Sequence, residues 1–576
     1  MGRQTSCGRN ARLLRLLFAL CVCVANLAAQ TSATKAPVSQ HGLAPILTYI
    51  SSAWNTLTRS MTNCETIVDP KLAEASVLYL PADFPAPAKV VELEKRCKVH
   101  VQHLPLPITG PGQVDPNKLT PPGLLYLENS YVVPGGRFNE MYGWDSYFII
   151  RGLLENGRID LARGMVENFF FEIEHYGTVL NANRTYYLTR SQPSFLTSMI
   201  LAVYEAQKSA GREDRSWLEK AYRYAEKDYQ LWNREPHLAG STGLSRYYDF
   251  GEGPAPESLK DESGVHRKVA GYFLFHPDAA HGYIVTDPSP GDSALGFHFS
   301  AQVCDKDNSS SAKPQCEPAR DISLSRDYYK GDRSMRESGF DISFRFGPYG
   351  AATHHYAPVC LNSLLYKTEK DLQHMSELLD RKDNAQKWAE RAQQRKDRIE
   401  KYLWDSQRSL FVDYNVDSNA RSSYEYIATL YPLWAGLATG DQAQAVVRNL
   451  SVFERPGGLA MSNRESGGQW DLPYGWAPTQ LIAIEGLRRY GFNEDANRIS
   501  YKFLSTIAEN FRREGTIREK YNVVTRTTES QVEAGYQQNV IGFGWTNAAF
   551  LVLLHALPQD FSGRLAREQA TAATAQ

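Results

Sequence analysis

Six acidic residues stand out for the company they keep: Asp145, Glu257, Asp341, Asp471, Glu519 and Glu533. Most fall in stretches rich in Gly, Pro and aromatic residues: PGGRFNEMYGWDSYF at 134–148, PAPES at 254–258, ESGFDISFRF at 337–346, GGQWDLPYGWAPTQ at 467–480 and EKYNV at 519–523. Two further stretches, NANRTYYLTRSQPSF at 181–195 and GFGWTN at 542–547, add amides, arginines and rings. Singly, each has a bland explanation: a Trp-Asp pair opens a helix with a capping carboxylate, and a lone arginine pairs with a surface acid. Seven together predict a cleft lined by rings and hydrogen-bonding groups, which suits a polyol or a sugar. The matching chemistry is cleavage of a glycosidic bond, which needs two carboxyl groups and no cofactor. One carboxyl group protonates the leaving oxygen, and the other attacks the sugar or activates water at a separation of roughly 6.5–9.5 Å in an inverting enzyme. Residue types alone do not select two of the six.

Such residues need rigid elements to hold them. After about residue 150 the chain reads as a succession of amphipathic helices. Leu161, Met165, Phe169 and Ile173 recur every four residues; Leu218, Tyr222, Ala225, Tyr229 and Trp232 trace a second stripe; Ile499, Phe503, Ile507 and Phe511 follow the capping-type stretch Asn493-Glu494-Asp495. Further helices are predicted over 194–208, 361–380, 384–404, 421–438, 441–453, 478–490 and 545–556, while strand-like alternation is sparse. Helix pairs with long Gly- and Pro-rich connections predict an all-α toroid rather than a small bundle. The sequence predicts one domain over 30–560, with a polar surface insertion near 274–326 and a disordered Ala- and Thr-rich tail over 561–576.

A formal net charge of -1 and 22% charged residues in 576 leave no electrostatic footprint for nucleic acid or an anionic membrane. Arg9, Arg12 and Arg15 precede LLFALCVCVANLAA, the layout of a signal peptide over 1–29, with cleavage near Ala29 or Ala33. The expected destination is therefore export, to the periplasm or the medium, with no membrane attachment after cleavage. Five cysteines would remain, with Cys64–Cys97 and Cys304–Cys316 as candidate pairs and at least one thiol left over. No spacing resembles a metal site.

These motifs carry a resemblance. PGGRF-x-E-x-Y-x-WD-x-Y and QWDLPYGWAP are similar at every fixed position to the two signatures of the trehalase family, inverting hydrolases of glycoside hydrolase family 37 that split α,α-trehalose. TRSQPSF, SG-x-D-x-S-x-R, EKY and GFGWTN follow in the family's order, so the resemblance spans about residues 70–556. It implies an (α/α)6 barrel with long active-site loops, Asp341 as general acid and Glu519 as general base. It further implies substrate contacts from Arg137, Trp144, Asp145, Asn181, Arg190, Gln192, Glu257 and Gly339, with Trp470, Asp471 and Trp476 lining the pocket. The implied substrate is a disaccharide and no cofactor is implied; the protein is expected to be a monomer.

The sequence also departs from the family pattern. Ala255 stands where an arginine is usual, Tyr536 aligns with a glutamate of the lid, Phe340 replaces Trp, and Cys360 replaces an acid. Losing one charged hydrogen bond costs about 1.5–3 kcal/mol, so these changes bear on efficiency and substrate identity more than on mechanism. The alternatives are an inverting glycosidase acting on another α-glucoside or a trehalose derivative, and a non-catalytic sugar-binding relative. Glu140 is expected to anchor the turn or an arginine.

Overall fold

A computed structural model describes residues 42–68, 75–257, 263–293, 298–301 and 319–574, together with Gly2 and Gly296. The expected signal segment (Gly2 apart), the run DKDNSSSAKPQ, Cys304 and Cys316 lie outside the described residues. Cys64 and Cys97 form a disulfide, and Cys360 is a buried thiol.

Along the chain run α1 (Ala44–Leu57), α2 (Gly143–Glu155), α3 (Ile159–His175), α4 (Leu196–Ser209), α5 (Arg215–Trp232), α6 (Arg326–Glu337), α7 (Val359–Leu378) and α8 (Lys382–Leu403). They are followed by α9 (Tyr431–Ala435), α10 (Gly440–Arg448), α11 (Ala477–Arg489), α12 (Asn493–Glu514), α13 (Gly544–Ala556) and α14 (Gln559–Thr574). Helices α2, α4, α7, α9, α11 and α13 pack each on the next, and α13 lies along α2 to close the ring. Their hairpin partners α3, α5, α8, α10 and α12 form the outer layer, with α1 against α13 and α14 against α12. This is an (α/α)6 barrel.

Sequence decides which layer a helix joins. Every residue of α13 from Gly544 to Leu554 is buried, and its apolar and small side chains surround the axis; such a helix belongs inside. In α5, Trp217, Leu218, Ala221, Tyr222, Ala225, Tyr229 and Trp232 face inward while Glu219, Lys220 and Arg223 stay exposed. The Asp214 carboxylate caps α5 by accepting the Trp217 N–H at 2.9 Å.

Three expectations are corrected. The helix predicted over 421–438 shrinks to a 3-10 turn at Ile427–Leu430 and the five-residue α9. Pro432 sits at the start of α9 and Gly436, at φ 73°, ends it; proline is tolerated in a first turn but not in a helix interior. The tail is not disordered: α14 forms because alanine is the best helix former and because Leu565 and Ala566 are buried. The chain also contains a parallel sheet ordered β2-β1-β3, from β1 (Ser76–Leu80), β2 (Val99–His103) and β3 (Leu124–Leu125). β1 is buried at all five positions, so it carries no alternation to read.

The insertion holds β4 (Ile284–Thr286), β5 (His298–Ala301) and β6 (Arg320–Leu324), an antiparallel sheet ordered β4-β6-β5. It has its own small apolar cluster around Phe273, Tyr283 and Tyr328. Among the described residues, no helix is long and apolar enough to cross a membrane.

Candidate active site

The site gathers where inner helices begin. Trp144 and Asp145 lie in the first turn of α2, Trp476 immediately precedes α11, and Trp545 opens α13. Helix α6 ends beside them, and Gly339 turns the chain at φ 77°. A Cβ on Gly339 would stand 2.8 Å from Trp144 Cε2, so a side chain there would meet the indole. The turn delivers Asp341, which is partly exposed while most of its neighbours are buried.

The Asp341 segment is fixed from behind. The Gln469 amide donates to the Asp341 carbonyl, and the Trp470 N–H reaches the Ile342 carbonyl at 3.2 Å. Asp471, fully buried, accepts from Phe344 N–H at 2.9 Å, Ser343 Oγ at 3.1 Å and Ser466 Oγ at 2.6 Å. Both Asp471 oxygens are therefore used on the protein: this acid braces the Asp341 loop and does not present a free carboxylate to a ligand. Arg345 continues the brace with a buried fork on Asp413 at 2.7 and 2.6 Å.

Glu519 enters from the other side. It precedes β8 (Lys520–Asn522), which pairs antiparallel with β7 (Tyr474–Trp476) so that Lys520 lies opposite Trp476. Glu519 N–H donates to the Val540 carbonyl at 3.0 Å, and the side chain is buried. Burial raises its carboxyl pKa; the Lys520 ammonium, the Tyr536 hydroxyl and the Arg137 guanidinium pull it back down. Asp145 is pushed well above the usual carboxylate range by burial, and the charges of Glu519 and Asp341 push it further. Lys520, lowered to about 8 by burial, is drawn up by Glu519 and by Asp341. Asp145 and Lys520 each feel both Asp341 and Glu519, which puts the three carboxyl groups within electrostatic reach of one another.

The walls are aromatic. Trp144 has ring centroids 5.4 Å from Phe340, 5.7 Å from Trp470 and 5.8 Å from Trp545, and Trp470 stacks on Trp476 at 3.8 Å. Gln192 Oε1 accepts the Trp144 N–H at 2.9 Å, and the Asn181 carbonyl accepts from Gly143 at 3.1 Å; both thus fix the start of α2. Arg190 pairs with Glu257 and stands over the Tyr187 ring at 4.8 Å. Arg137 lies 5.4 Å over the Tyr536 ring. Among the site residues, the buried carboxylate oxygens Glu257 Oε2 and Glu519 Oε2 have no hydrogen-bond partner within the protein, and neither has either polar atom of the Asn547 side chain in GFGWTN. Unsatisfied buried acceptors cost free energy unless something else reaches them.

Sequence reasoning missed Lys520 and Gln469, although both sit inside motifs already singled out, beside Glu519 and Trp470. The departures resolve unequally. Cys360 accepts from Arg345 Nη1 at 3.4 Å, so it belongs to the brace rather than to the pocket. Glu140 binds Arg184 and accepts the Asn139 N–H at 3.0 Å, the turn-and-arginine role expected of it. Among the described residues, one group could hold a cation: Asp327, His354 and His355, with candidate ligand atoms within 4.8 Å of one another. It lies at the start of α6, the far end of that helix from Asp341, and His355 also pairs with Asp417 at 2.6 Å.

An (α/α)6 barrel with carboxyl groups collected among indoles at the starts of its inner helices defines a carbohydrate-active enzyme class. The chain matches the family model described as Trehalase over residues 36–284 and 300–558, and it belongs to that family of glycoside hydrolases. The stretch left unmatched between these two ranges, 285–299, falls within the insertion. The chain is 36% identical to the cytosolic neutral trehalase of Saccharomyces cerevisiae, covering 87% of this chain and 70% of that protein. It is likewise 36% identical to the cytosolic neutral trehalase of Emericella nidulans, covering 88% and 71%. The solved structure of neutral trehalase Nth1 from Saccharomyces cerevisiae superposes with a TM-score of 0.72 at 32% identity, covering 92% of this chain and 96% of that one.

These matches correct one expectation. Export to the periplasm or the medium conflicts with relatives from Saccharomyces cerevisiae, Kluyveromyces lactis and Emericella nidulans that are named cytosolic. Arginines followed by a short apolar run are common residue types in a loose pattern, which constrains much less than the long signatures do.

Proposed function

We propose that this protein hydrolyses α,α-trehalose to two glucose molecules with inversion, in the cytoplasm as its relatives' names indicate. In this reading Asp341 gives its proton to the bridging oxygen, while Glu519 takes a proton from water attacking the opposite ring face. Bond cleavage then releases one glucose from the leaving side as the α anomer and the other as the β anomer. Asp145, Arg137 and the Arg190–Glu257 pair bind hydroxyls, and the indoles shape the ring-binding wall.

The observation that carries the reading is that Asp145, Lys520 and Tyr536 each feel the charges of both Asp341 and Glu519, in a trehalase-family barrel. No cofactor has a part in it. The test is glucose release from trehalose by the wild type and by Asp341→Asn and Glu519→Gln. Either substitution is expected to lower kcat by about 10²- to 10⁴-fold; near-normal turnover in either refutes that residue's role.

A second reading, hydrolysis of a trehalose derivative or another α-glucoside, is favoured by Ala255 standing where the family pattern usually has an arginine, and by Tyr536 standing where it has a glutamate. Relative turnover of trehalose, maltose, kojibiose and an acylated trehalose separates the two readings.

A further inference from the structure

Tyr536 belongs to the 528–542 segment, where the family pattern has a glutamate, and its hydroxyl donates a hydrogen bond to Glu519 Oε1. The other oxygen, Glu519 Oε2, is the buried one with no hydrogen-bond partner in the protein. The tyrosine is itself held. Lys520 Nζ stands 4.3 Å over its ring and donates to Gln469 Oε1 at 3.1 Å, and Gln469 in turn holds the Asp341 carbonyl. Gly535, at φ 124°, lets the segment approach closely, since a Cβ there would lie 2.7 Å from Gln469 Cδ. One connected set of side chains thus runs from the backbone of Asp341 to the carboxylate of Glu519.

We propose that Tyr536 is a positioning residue for the base: it ties down Oε1 so that Oε2 alone is presented to the attacking water. The proposal rests on the reading of Glu519 as general base. A glutamate at 536 could not do this while ionised, because two carboxylates would repel; a phenol can donate and stay neutral. Donation to a carboxylate also favours its ionised form, the form that accepts the water's proton.

Tyr536→Phe tests this, because it removes one oxygen and keeps the ring under Lys520 and Arg137. Loss of a hydrogen bond to a charged group is expected to lower kcat by about 10- to 150-fold, with KM for trehalose changed by less than about threefold. The acid limb of the kcat/KM profile should move to higher pH, because Glu519 without its donor protonates more readily. A merely structural role would lower the melting temperature and leave that limb in place. A Tyr536→Phe profile superimposable on the wild type, with Glu519→Gln inactive, overturns the positioning role alone. Glu519→Gln with near-normal turnover overturns the assignment of the base and this inference with it.

Discussion

At the scale of single residues, the division of labour between acids follows from what surrounds each one. Asp471 has three protein donors and is spent on structure, whereas Glu519 and Glu257 each keep a buried oxygen that no protein group reaches. Gly339 is the sharpest steric test. Gly339→Ala places a methyl 2.8 Å from the Trp144 indole in a conformation that L side chains rarely adopt. We expect a stability loss of about 1–3 kcal/mol in urea titration, together with reduced kcat as the Asp341 turn shifts. The acids were legible in the sequence because they sit in motifs of fixed spacing. Tyr536 was legible only as a departure, since its contact with Glu519 bridges 17 positions of chain that no periodicity connects. Asp471 read as a pocket residue because a motif fixes position without fixing where its oxygens point.

At the scale of elements, short connections do the positioning and helices supply the rigidity. The loop after Asp341 is anchored by Arg345 on Asp413, which also accepts the Val359 N–H at 2.9 Å at the start of α7. Asp413→Ala leaves a buried guanidinium without its partner, and urea unfolding should show a loss of about 3–5 kcal/mol. A second tie joins α12 to the segment that follows α10: Glu454 accepts from Arg498 at 2.9 Å and from Lys502 at 2.7 Å. Those bonds hold the Glu454 carboxyl down at about 2, below its ordinary 4.5. Its folded pKa is depressed, so the stabilisation is present above about pH 4.5 and lost as pH falls toward 2. Glu454→Gln should therefore melt lower than wild type at pH 7, with the difference vanishing near pH 2. Helices with four-residue stripes were legible; α9 was overextended because the apolar run through Leu430 hid the helix start that Pro432 marks and the stop at Gly436. The strands were missed because pieces of two to five residues are too short to carry a readable alternating pattern.

At the scale of the whole molecule, closure of the inner ring by α13 on α2 brings residues from 137 to 547 to one place. Closure itself was not legible from periodicity, which gives helices and not their circular order; the ordered motifs carried it. In the proposed mechanism acid and base act from opposite sides of one sugar, and the stereochemistry of the product reports that directly. The decisive measurement is a proton NMR time course of trehalose hydrolysis, read before mutarotation scrambles the anomers. The account predicts α- and β-glucose appearing in equal amounts from the first spectra. Release of α-glucose alone would mean retention, and with it the arrangement of Asp341 and Glu519 as acid and base across a water would be wrong.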